Sequence, residues 1–367
     1  MEKNKDKIKV ILLGIVFFLL VAACWLKSPD DFSNSERRTL AQKPEVSLEA
    51  VLNGQFMSEF ESYALDQFPF REQFRAAKAL SEYGLFLKKD NNDIYIKDGY
   101  AAQILYPLNE NSVRNATDHF EEIYNSFLKE QGSEVFVSVV PDKSYFLAER
   151  GGYPALDYQR LFELVETEMD YAKFIDLTDS LALEDYYKTD THWRQERLLP
   201  AAQLLGQAMG LNMDYLQDLE QKLGKDDFRG VYYGQSALPL PAEPLYYLTD
   251  ETLENCSVFN FETNETGSVY VSEKLDARDP YDFFLSGAAA LLTVENPHAK
   301  TDRELILFRD SFGSSIAPLL IENYKTVTIV DIRYVQTDYL GQLLDFHGQD
   351  VLFLYGAAML NDSYTFK

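Results

Sequence analysis

Three residues of this chain could together turn a hydroxyl group into a nucleophile. Asp190 and His192 stand two positions apart in the phrase Asp-Thr-His-Trp, and Ser311 stands far downstream in the phrase Asp-Ser-Phe. A carboxylate that orients an imidazole, and an imidazole that takes the proton of a serine hydroxyl, make that serine reactive at neutral pH. If the fold brings these three side chains together, the chain is an acyl-transfer enzyme.

The spacing of the acid and the histidine suits this chemistry. In an extended segment, side chains two positions apart point the same way, so the Asp190 carboxylate can hydrogen bond to one nitrogen of His192 and fix its tautomer. The other nitrogen would then face Ser311. We expect Trp193 to line the site, to keep water from competing and to lie close to bound substrate.

The alternative is that His192 is an ordinary packed or surface histidine and that Asp190 is a turn residue. The chain has four histidines. His119 and His347 fall on predicted helices, and His298 lies in a turn beside a proline and an asparagine. His192 is therefore the best candidate for a general base.

The serine stands where a strand is predicted to end and a helix to begin. Ser311 follows the predicted strand Glu304–Phe308 and precedes the predicted helix Ser314–Tyr324. A hydroxyl in this position lies near free helix amides that can stabilise an oxyanion; the alternative is a serine that only caps the helix. Ser236 is a rival nucleophile, but its phrase Gly-Gln-Ser lacks the second glycine of a nucleophile elbow. We favour Ser311.

Strand-like and helix-like segments alternate along much of the chain. The predicted strands are Glu134–Val140, Tyr171–Leu177, Glu304–Phe308, Val327–Val330 and Val351–Tyr355. The predicted helices are 112–132, Pro200–Met209, Ser314–Tyr324 and Thr337–His347. This order predicts an α/β fold, a doubly wound parallel sheet with helices on both faces. Such sheets bind ligands at the carboxyl ends of their strands, where Asp142 and Ser311 lie.

The pattern divides the chain into three parts. Residues 1–27 are predicted to form a cytoplasmic tip and a transmembrane anchor or signal, and residues 28–92 a helical connector region. Residues 93–367 are predicted to form the α/β domain. Within it, short aromatic and β-branched runs between turn residues predict a β-rich insertion from about residue 211 to 300.

The amino end has the features of an export signal. The run Val10–Leu26 contains no charged residue, and four lysines precede it: Lys3, Lys5, Lys7 and Lys9. A basic flank before an apolar run keeps the amino end in the cytosol, although this run is near the lower length limit for a span. We expect a single anchor in the cell membrane with an extracytoplasmic domain. The alternative is a lipoprotein acylated at Cys24.

Composition excludes several functional classes. The formal net charge is −25, from 34 basic and 59 acidic residues, and such a charge repels nucleic acid. We expect no cofactor and no metal, because the sequence lacks a glycine-rich phosphate loop and any cluster with zinc-ligand spacing. Cys256 has only Cys24 as a second cysteine, and Cys24 lies in the apolar run, so we expect no intrachain disulfide.

The chain resembles the DHHW family of exported bacterial proteins, whose name corresponds here to Asp-Thr-His-Trp at positions 190–193. Further matching phrases are Glu36–Ala41, Asp66–Arg71, Val139–Lys143, Tyr281–Gly287, Arg309–Phe312 and Asp331–Tyr334. The family looks related to the alginate O-acetylation proteins, so the resemblance implies an SGNH-hydrolase-like (flavodoxin-like) domain. It also implies acetyl transfer to an extracellular polysaccharide, with acetyl groups supplied by a membrane-bound O-acyltransferase partner.

Carried over residue by residue, the resemblance implies Asp190 as the orienting acid, His192 as the base and Ser311 as the nucleophile. Two positions depart from the family. Thr191 replaces a histidine, and we expect its side chain to point away from the triad. Ala288 follows Gly287 where the family has a polar residue, which would weaken the oxyanion site if that residue contributes to it.

Two more residues are candidates for substrate binding. Arg333 and Tyr334 stand in the phrase Asp-Ile-Arg-Tyr, at the end of a predicted strand beside the site. For Arg333 the alternative is a structural ion pair.

The sequence thus predicts a membrane-tethered O-acetyltransferase that uses a Ser-His-Asp triad. The alternatives are a carbohydrate acetylesterase and a non-catalytic protein that binds glycan or assists assembly.

Overall fold

The computed structural model describes residues 2–33 and 35–367. Met1, the first residue of the predicted anchor, lies outside the described residues, and so do the side chains of Lys3 and Lys5 in its basic flank. The chain forms two compact units. The first contains residues up to Asn92 together with the segment Tyr233–Pro239, and the second contains residues 93–232 and 240–367.

The first unit consists mainly of helices. Its elements are α1 (Glu2–Leu26), β1 (Phe32–Ser33), β2 (Arg38–Thr39), α2 (Leu48–Leu52), α3 (Gln55–Asp66), α4 (Arg71–Gly84) and β3 (Asp90–Asn91). Strands β1 and β2 form an antiparallel hairpin. Within α1, Asp6–Cys24 has a mean hydropathy of 2.5 and is long enough to cross a bilayer. A membrane anchor and a signal sequence both have these properties.

The second unit is built on an eight-stranded sheet. The strands of this unit, inside and outside that sheet, are β4 (Ile94–Lys97), β5 (Tyr100–Gln103), β6 (Val135–Val140), β7 (Lys173–Phe174), β8 (Glu220–Phe228), β9 (Glu243–Thr249), β10 (Ser257–Asn260), β11 (Glu265–Gly267), β12 (Leu291–Glu295), β13 (Glu304–Arg309), β14 (Thr326–Val330) and β15 (Asp350–Gly356). The sheet order is β11-β10-β12-β14-β13-β15-β6-β7. The five strands from β14 to β7 are mutually parallel.

Helices cover both faces of this sheet. Helices α8 (Leu199–Ala208), α10 (Glu251–Asn255) and α11 (Gly313–Ile316) contribute to the core on one face, and α5 (Glu110–Ile123), α7 (Tyr158–Glu168), α12 (Leu340–Leu343) and α13 (Ala357–Asn361) to the core on the other. The remaining helices are α6 (Lys143–Gly151) and α9 (Val231–Ser236), and residues 233–236 of α9 belong to the first unit. Leu305 and Leu307 of β13 belong to one hydrophobic core, whereas Ile306 and Phe308 belong to the other. Because both faces of β13 are buried, its four central residues, 305–308, are all apolar. The prediction of an α/β fold with helices on both faces of a largely parallel sheet is confirmed.

The sheet is nevertheless mixed, not purely parallel. Strands β10, β11 and β12, which fall in the predicted insertion, join the edge of the main sheet in antiparallel orientation. Among the described strands of the predicted insertion, β8 and β9 instead pair with each other as a separate two-stranded ribbon. Alternating and β-branched runs predict strands but do not reveal which partner a strand will pair with, so the sequence could not separate these cases.

Two predicted helices are shorter than expected. The α-helix after Ser311 ends at Ile316 and continues as a 3₁₀ helix over Ala317–Asn323. Pro318 lacks the amide hydrogen that an α-helical bond would use, which favours this change. The helix predicted over Thr337–His347 ends at Leu343, so His347 lies outside it.

Candidate active site

The three predicted catalytic side chains form one continuous hydrogen-bonded chain. His192 Nδ1 lies 2.5 Å from Asp190 Oδ1, and His192 Nε2 lies 2.8 Å from Ser311 Oγ. Asp190 and His192 are buried, whereas Ser311 is half-buried. A serine, a histidine and an aspartate thus meet within hydrogen-bond reach, as a nucleophile, a base and an orienting acid would. His119, His298 and His347 do not share this arrangement: the Nδ1 atom of His119 has no hydrogen-bond partner, and His347 contacts Glu304.

Two buried charged side chains hold the loop that carries the acid and the base. The Lys143 ammonium donates to the carbonyl oxygens of Tyr187 and Lys188, at 2.8 and 3.3 Å. Glu243 Oε1 accepts the amides of Lys188 and Thr189, at 2.6 and 3.1 Å. Buried backbone groups without partners are costly, so these two side chains stabilise the irregular loop just before Asp190.

A glycine makes room for the acid. The amide of Val231 donates to Asp190 Oδ2 at 2.9 Å, so both carboxylate oxygens are engaged. A Cβ atom on Gly230 would lie 2.2 Å from the Cβ and 2.4 Å from the Oδ2 of Asp190. Any side chain at position 230 must therefore displace the carboxylate that orients His192.

We expect Gly230→Ala to lower kcat on an aryl acetate by about 10- to 1000-fold, because a displaced carboxylate no longer holds the imidazole. Release of the phenolate, measured by absorbance, checks the prediction. Gly267→Ala is the matched control, because a Cβ at that position meets nothing within 4 Å. Unchanged kcat in Gly230→Ala would show that Asp190 does not need its observed position.

The imidazole is also held from its face. The ring of Tyr281 stacks on His192 with 3.9 Å between ring centroids and an interplanar angle of 6°. Tyr281 donates to Ser315 Oγ at 2.7 Å, and Trp193 Nε1 donates to the same oxygen at 2.9 Å. These contacts fix the plane of the imidazole, so its Nε2 atom stays directed at Ser311.

Ser311 occupies a tight turn between β13 and α11. Asp310 shapes this turn: its Oδ1 accepts the amide of Phe312 at 3.0 Å, and its Oδ2 accepts the amide of Gly356 at 2.8 Å. Burial raises the pKa of Asp310, and the two amide bonds oppose that rise. No side chain caps α11, and the Ser311 hydroxyl contacts His192, so Ser311 is not a helix cap.

The residues predicted to bind substrate have different environments. Trp193 has no exposed surface and packs edge-on against Phe312. In this conformation its side chain cannot contact a bound substrate directly. Arg333 forms the structural ion pair, with bonds of 2.8 and 2.6 Å to Asp331. Tyr334 is half-exposed, and the guanidinium of Arg333 lies over its ring.

The segment around Ala288 has an unusual backbone. Leu285, Ser286 and Gly287 are consecutive residues with positive φ angles of 54°, 60° and 75°. Such strain accumulates at functional sites. The carbonyl of Gly287 accepts a bond of 2.8 Å from the buried Arg309, while Ala288 is exposed. Thr191, the other departure from the family, hydrogen bonds with Tyr232.

The same arrangement of elements exists in solved structures. The chain is similar to a DHHW family protein from Eubacterium siraeum, with 18% identity, coverage of 75% of this chain and 94% of that chain, and a TM-score of 0.61. The chain therefore shares its fold with that protein. Bacillus cereus PatB1, in a structure with a sulfonyl adduct, matches with 17% identity, 75% and 97% coverage, and a TM-score of 0.58. No protein-family model and no curated protein matches the sequence.

Sequence reasoning missed several residues that position the three candidate catalytic side chains. Tyr281 and Lys143 stand in phrases that carry the resemblance, but their types suggested no role. Gly230 and Glu243 lie in the segment predicted to be an insertion, and no local signal distinguishes them. In the part of the chain that the structure describes, no group of three His, Cys, Asp or Glu side chains could hold a metal ion.

Proposed function

We propose that this chain is a membrane-tethered, extracytoplasmic O-acetyltransferase that modifies a polysaccharide through Ser311, His192 and Asp190. The observation that carries the proposal is the unbroken path of hydrogen bonds from the Asp190 carboxylate through His192 to a half-buried hydroxyl. An acid, a base and a hydroxyl within hydrogen-bond reach of each other can catalyse acyl transfer. PatB1, which shares the fold, carries a sulfonyl adduct, and sulfonyl groups attach to activated nucleophiles.

The first half-reaction loads the enzyme. His192 Nε2 takes the Ser311 proton while Ser311 Oγ attacks the carbonyl carbon of an acetyl donor. The tetrahedral intermediate collapses, the donor's leaving group takes the proton from the imidazolium, and acetyl-Ser311 remains. Asp190 stabilises the imidazolium throughout, because its carboxylate faces Nδ1 at 2.5 Å.

The second half-reaction transfers the acetyl group. A sugar hydroxyl gives its proton to His192 and attacks acetyl-Ser311, and the serine leaves as it regains that proton. The partial exposure of residue Ser311 favours a second function, acetylesterase activity, in which water takes the place of the sugar hydroxyl. The two functions differ only in the acceptor of the acetyl group.

A groove near the ends of the parallel strands is the proposed surface for the sugar acceptor. It encloses about 780 Å³ and includes Arg333, Tyr334 and Tyr364 among its lining residues. Tyr334 and Tyr364 are 49% and 59% exposed, and exposed aromatic faces can stack on sugar rings. The acetyl donor is proposed to be a membrane-bound O-acyltransferase, which the anchor α1 would keep within reach.

Covalent labelling tests the proposed nucleophile. We expect an aryl sulfonyl fluoride to add one sulfonyl group to the full chain at Ser311, with peptide mass spectrometry locating the adduct. Ser311→Ala and His192→Ala should remain unlabelled, whereas Ser236→Ala, which removes the rival serine, should label normally. Labelling at Ser236, or equal labelling of Ser311→Ala, would overturn the assignment.

The buried Lys143 predicts a pH-dependent contribution to stability. Burial lowers the pKa of Lys143 to about 7, although Asp190, Glu243 and Asp142 raise it. Between pH 7 and the usual lysine pKa of about 10.4, the unfolded chain binds more protons than the folded chain, so this group's contribution to the free energy of unfolding rises with pH. Below pH 7 both states carry the charge, and the full penalty of burying it remains.

We therefore expect the Tm of the natural protein, minus that of Lys143→Met, to increase from pH 6 to pH 9. The contribution of Lys143 to the free energy of unfolding rises by at most about 1.4 kcal/mol per pH unit. Thermal unfolding of both proteins in the same detergent checks the prediction. Lys129→Met, which replaces an exposed lysine, is the control, and its Tm should differ from that of the natural protein by the same amount at every pH. A Tm difference for Lys143→Met that does not change with pH would contradict the prediction.

A further inference from the structure

The helices α2, α3 and α4 of the first unit expose most of their large apolar side chains. Helix α2 has no buried residue, α3 buries only Asp66 and α4 buries only Ala79. The exposed large apolar residues of this region are Leu48, Val51, Leu52, Met57, Phe60, Leu65, Phe70, Phe74, Leu80, Leu85, Phe86 and Leu87. Soluble helices normally direct such a stripe toward a core, and a patch of this kind marks an interaction surface.

The apolar residues follow helical periodicity and therefore form faces. On α2 the stripe consists of Leu48, Val51 and Leu52, at spacings of three and one. On α3, Met57 and Phe60 lie one turn apart and Ala64 follows after four more residues. These spacings place the side chains of each helix on one side, so each stripe is continuous and is open to solvent.

One cluster of ion pairs in the same unit is less exposed than the apolar side chains beside it. Arg71 and Arg75 both pair with Glu36, and their side chains are only 14% and 17% exposed. Phe70 and Phe74, on the same stretch of chain, are 64% and 51% exposed. This arrangement, with ion pairs inside and apolar groups outside, is the reverse of a water-soluble helix pair. It suits a unit whose outer side meets an apolar phase.

Hydrogen bonds hold these helices close to the end of the apolar helix α1. The amide of Asp30 donates to Gln67 Oε1 at 2.8 Å, and Gln67 Nε2 donates to the Asp30 carbonyl at 2.8 Å. Asp30 stands four residues after Leu26, the last residue of α1. Four residues span at most about 14 Å, so Asp30, which the Gln67 side chain contacts, lies within that distance of the helix end.

We propose that α2, α3 and α4 lie on the bilayer, with their apolar faces inserted among the lipid chains at the headgroup boundary. The proposal rests on the membrane anchoring by α1 that is part of the proposed function. Lipid is the apolar phase that the anchor brings within reach of Gln67, and interfacial helices bury their apolar faces about 5–10 Å into it. The unit then attaches to the membrane both through α1 and through a lipid-facing surface.

Quenching by brominated lipid tests this placement in the full chain. In a Cys24→Ala, Cys256→Ala background, single cysteines at Leu52, Phe60 or Leu80 carry an environment-sensitive fluorophore, and the protein is reconstituted into phosphatidylcholine vesicles. We expect brominated acyl chains to reduce emission at these positions by about twofold or more, as for groups in the acyl boundary. High salt should not restore the emission, because the contact is apolar.

Two further positions make the outcomes decisive. Ile15→Cys reports insertion of α1, and Leu223→Cys reports an exposed leucine of the second unit, which is 55% exposed. Quenching at position 15 without quenching at Leu52, Phe60 and Leu80 overturns the lipid-facing surface and leaves the anchor intact. No quenching at position 15 overturns both. Equal quenching at Leu223 would show that the protein adsorbs to the vesicle without a specific surface. If Leu52, Phe60 and Leu80 are instead cross-linked to another protein in native membranes and are not quenched by lipid, the surface binds a protein partner. Either result overturns the proposal.

Discussion

Replacing Ser311 by alanine is expected to lower kcat for hydrolysis of p-nitrophenyl acetate by at least about a thousandfold, because the covalent step loses its nucleophile. His192→Ala should cost a similar factor, since Nε2 lies 2.8 Å from the serine oxygen and accepts its proton. The double variant should be no slower than either single variant, because the two residues act as one unit. Absorbance of the released phenolate, measured with the full chain in detergent, gives kcat.

Matched replacements elsewhere separate catalysis from folding. Ser236→Ala removes the rival serine and should retain full activity, and so should His298→Ala. Circular dichroism should show the same fold for all variants. Activity that survives in Ser311→Ala but disappears in Ser236→Ala would move the nucleophile to residue 236. An inactive natural protein that binds glycan would favour the non-catalytic alternative.

The second large effect is expected for Asp190→Asn. The amide side chain can present its NH₂ group to His192 Nδ1, which favours the tautomer that carries the proton on Nε2 and leaves that atom unable to accept the serine proton. We expect kcat on p-nitrophenyl acetate to fall by about 10³- to 10⁴-fold. The KM value should change little, because Asp190 has no exposed surface and cannot touch substrate.

The control for this replacement is Asp350→Asn. Asp350 also accepts bonds from charged and neutral donors, Arg303 and Tyr324, but it begins β15 and so lies at the amino end of the parallel strands. Its replacement should leave kcat unchanged. If Asp190→Asn retained natural kcat at every pH, the acid would have no part in orienting the base.

Much of the fold could be predicted from the sequence because its determinants are local. The four central residues of β13, 305–308, are all apolar, and they are buried in the two cores. The period of two along a strand and of 3.6 along a helix appears directly in the order of residue types. The position of Ser311 after a strand and before a helix followed from the same patterns.

The mixed edge of the sheet could not be predicted in this way. Strand β12 pairs antiparallel with β14, and nothing in its five residues distinguishes a strand of the main sheet from one in a separate lobe. Pairing depends on which chain segments meet, and register is set by contacts between distant residues. The shortening of the helix after Ser311, by contrast, has a visible local cause in Pro318.

By itself, the sequence determined the chemical types of the triad, the order of the strands and helices that carry it, and the apolar helix near the amino end. Only the tertiary structure decided that His192 and Ser311 meet, that Gly230 leaves room for Asp190, and that Tyr281 covers the imidazole. The reason is physical: residue type and period act over a few neighbours, whereas a hydrogen bond between residues 119 positions apart depends on how the whole sheet and its loops pack.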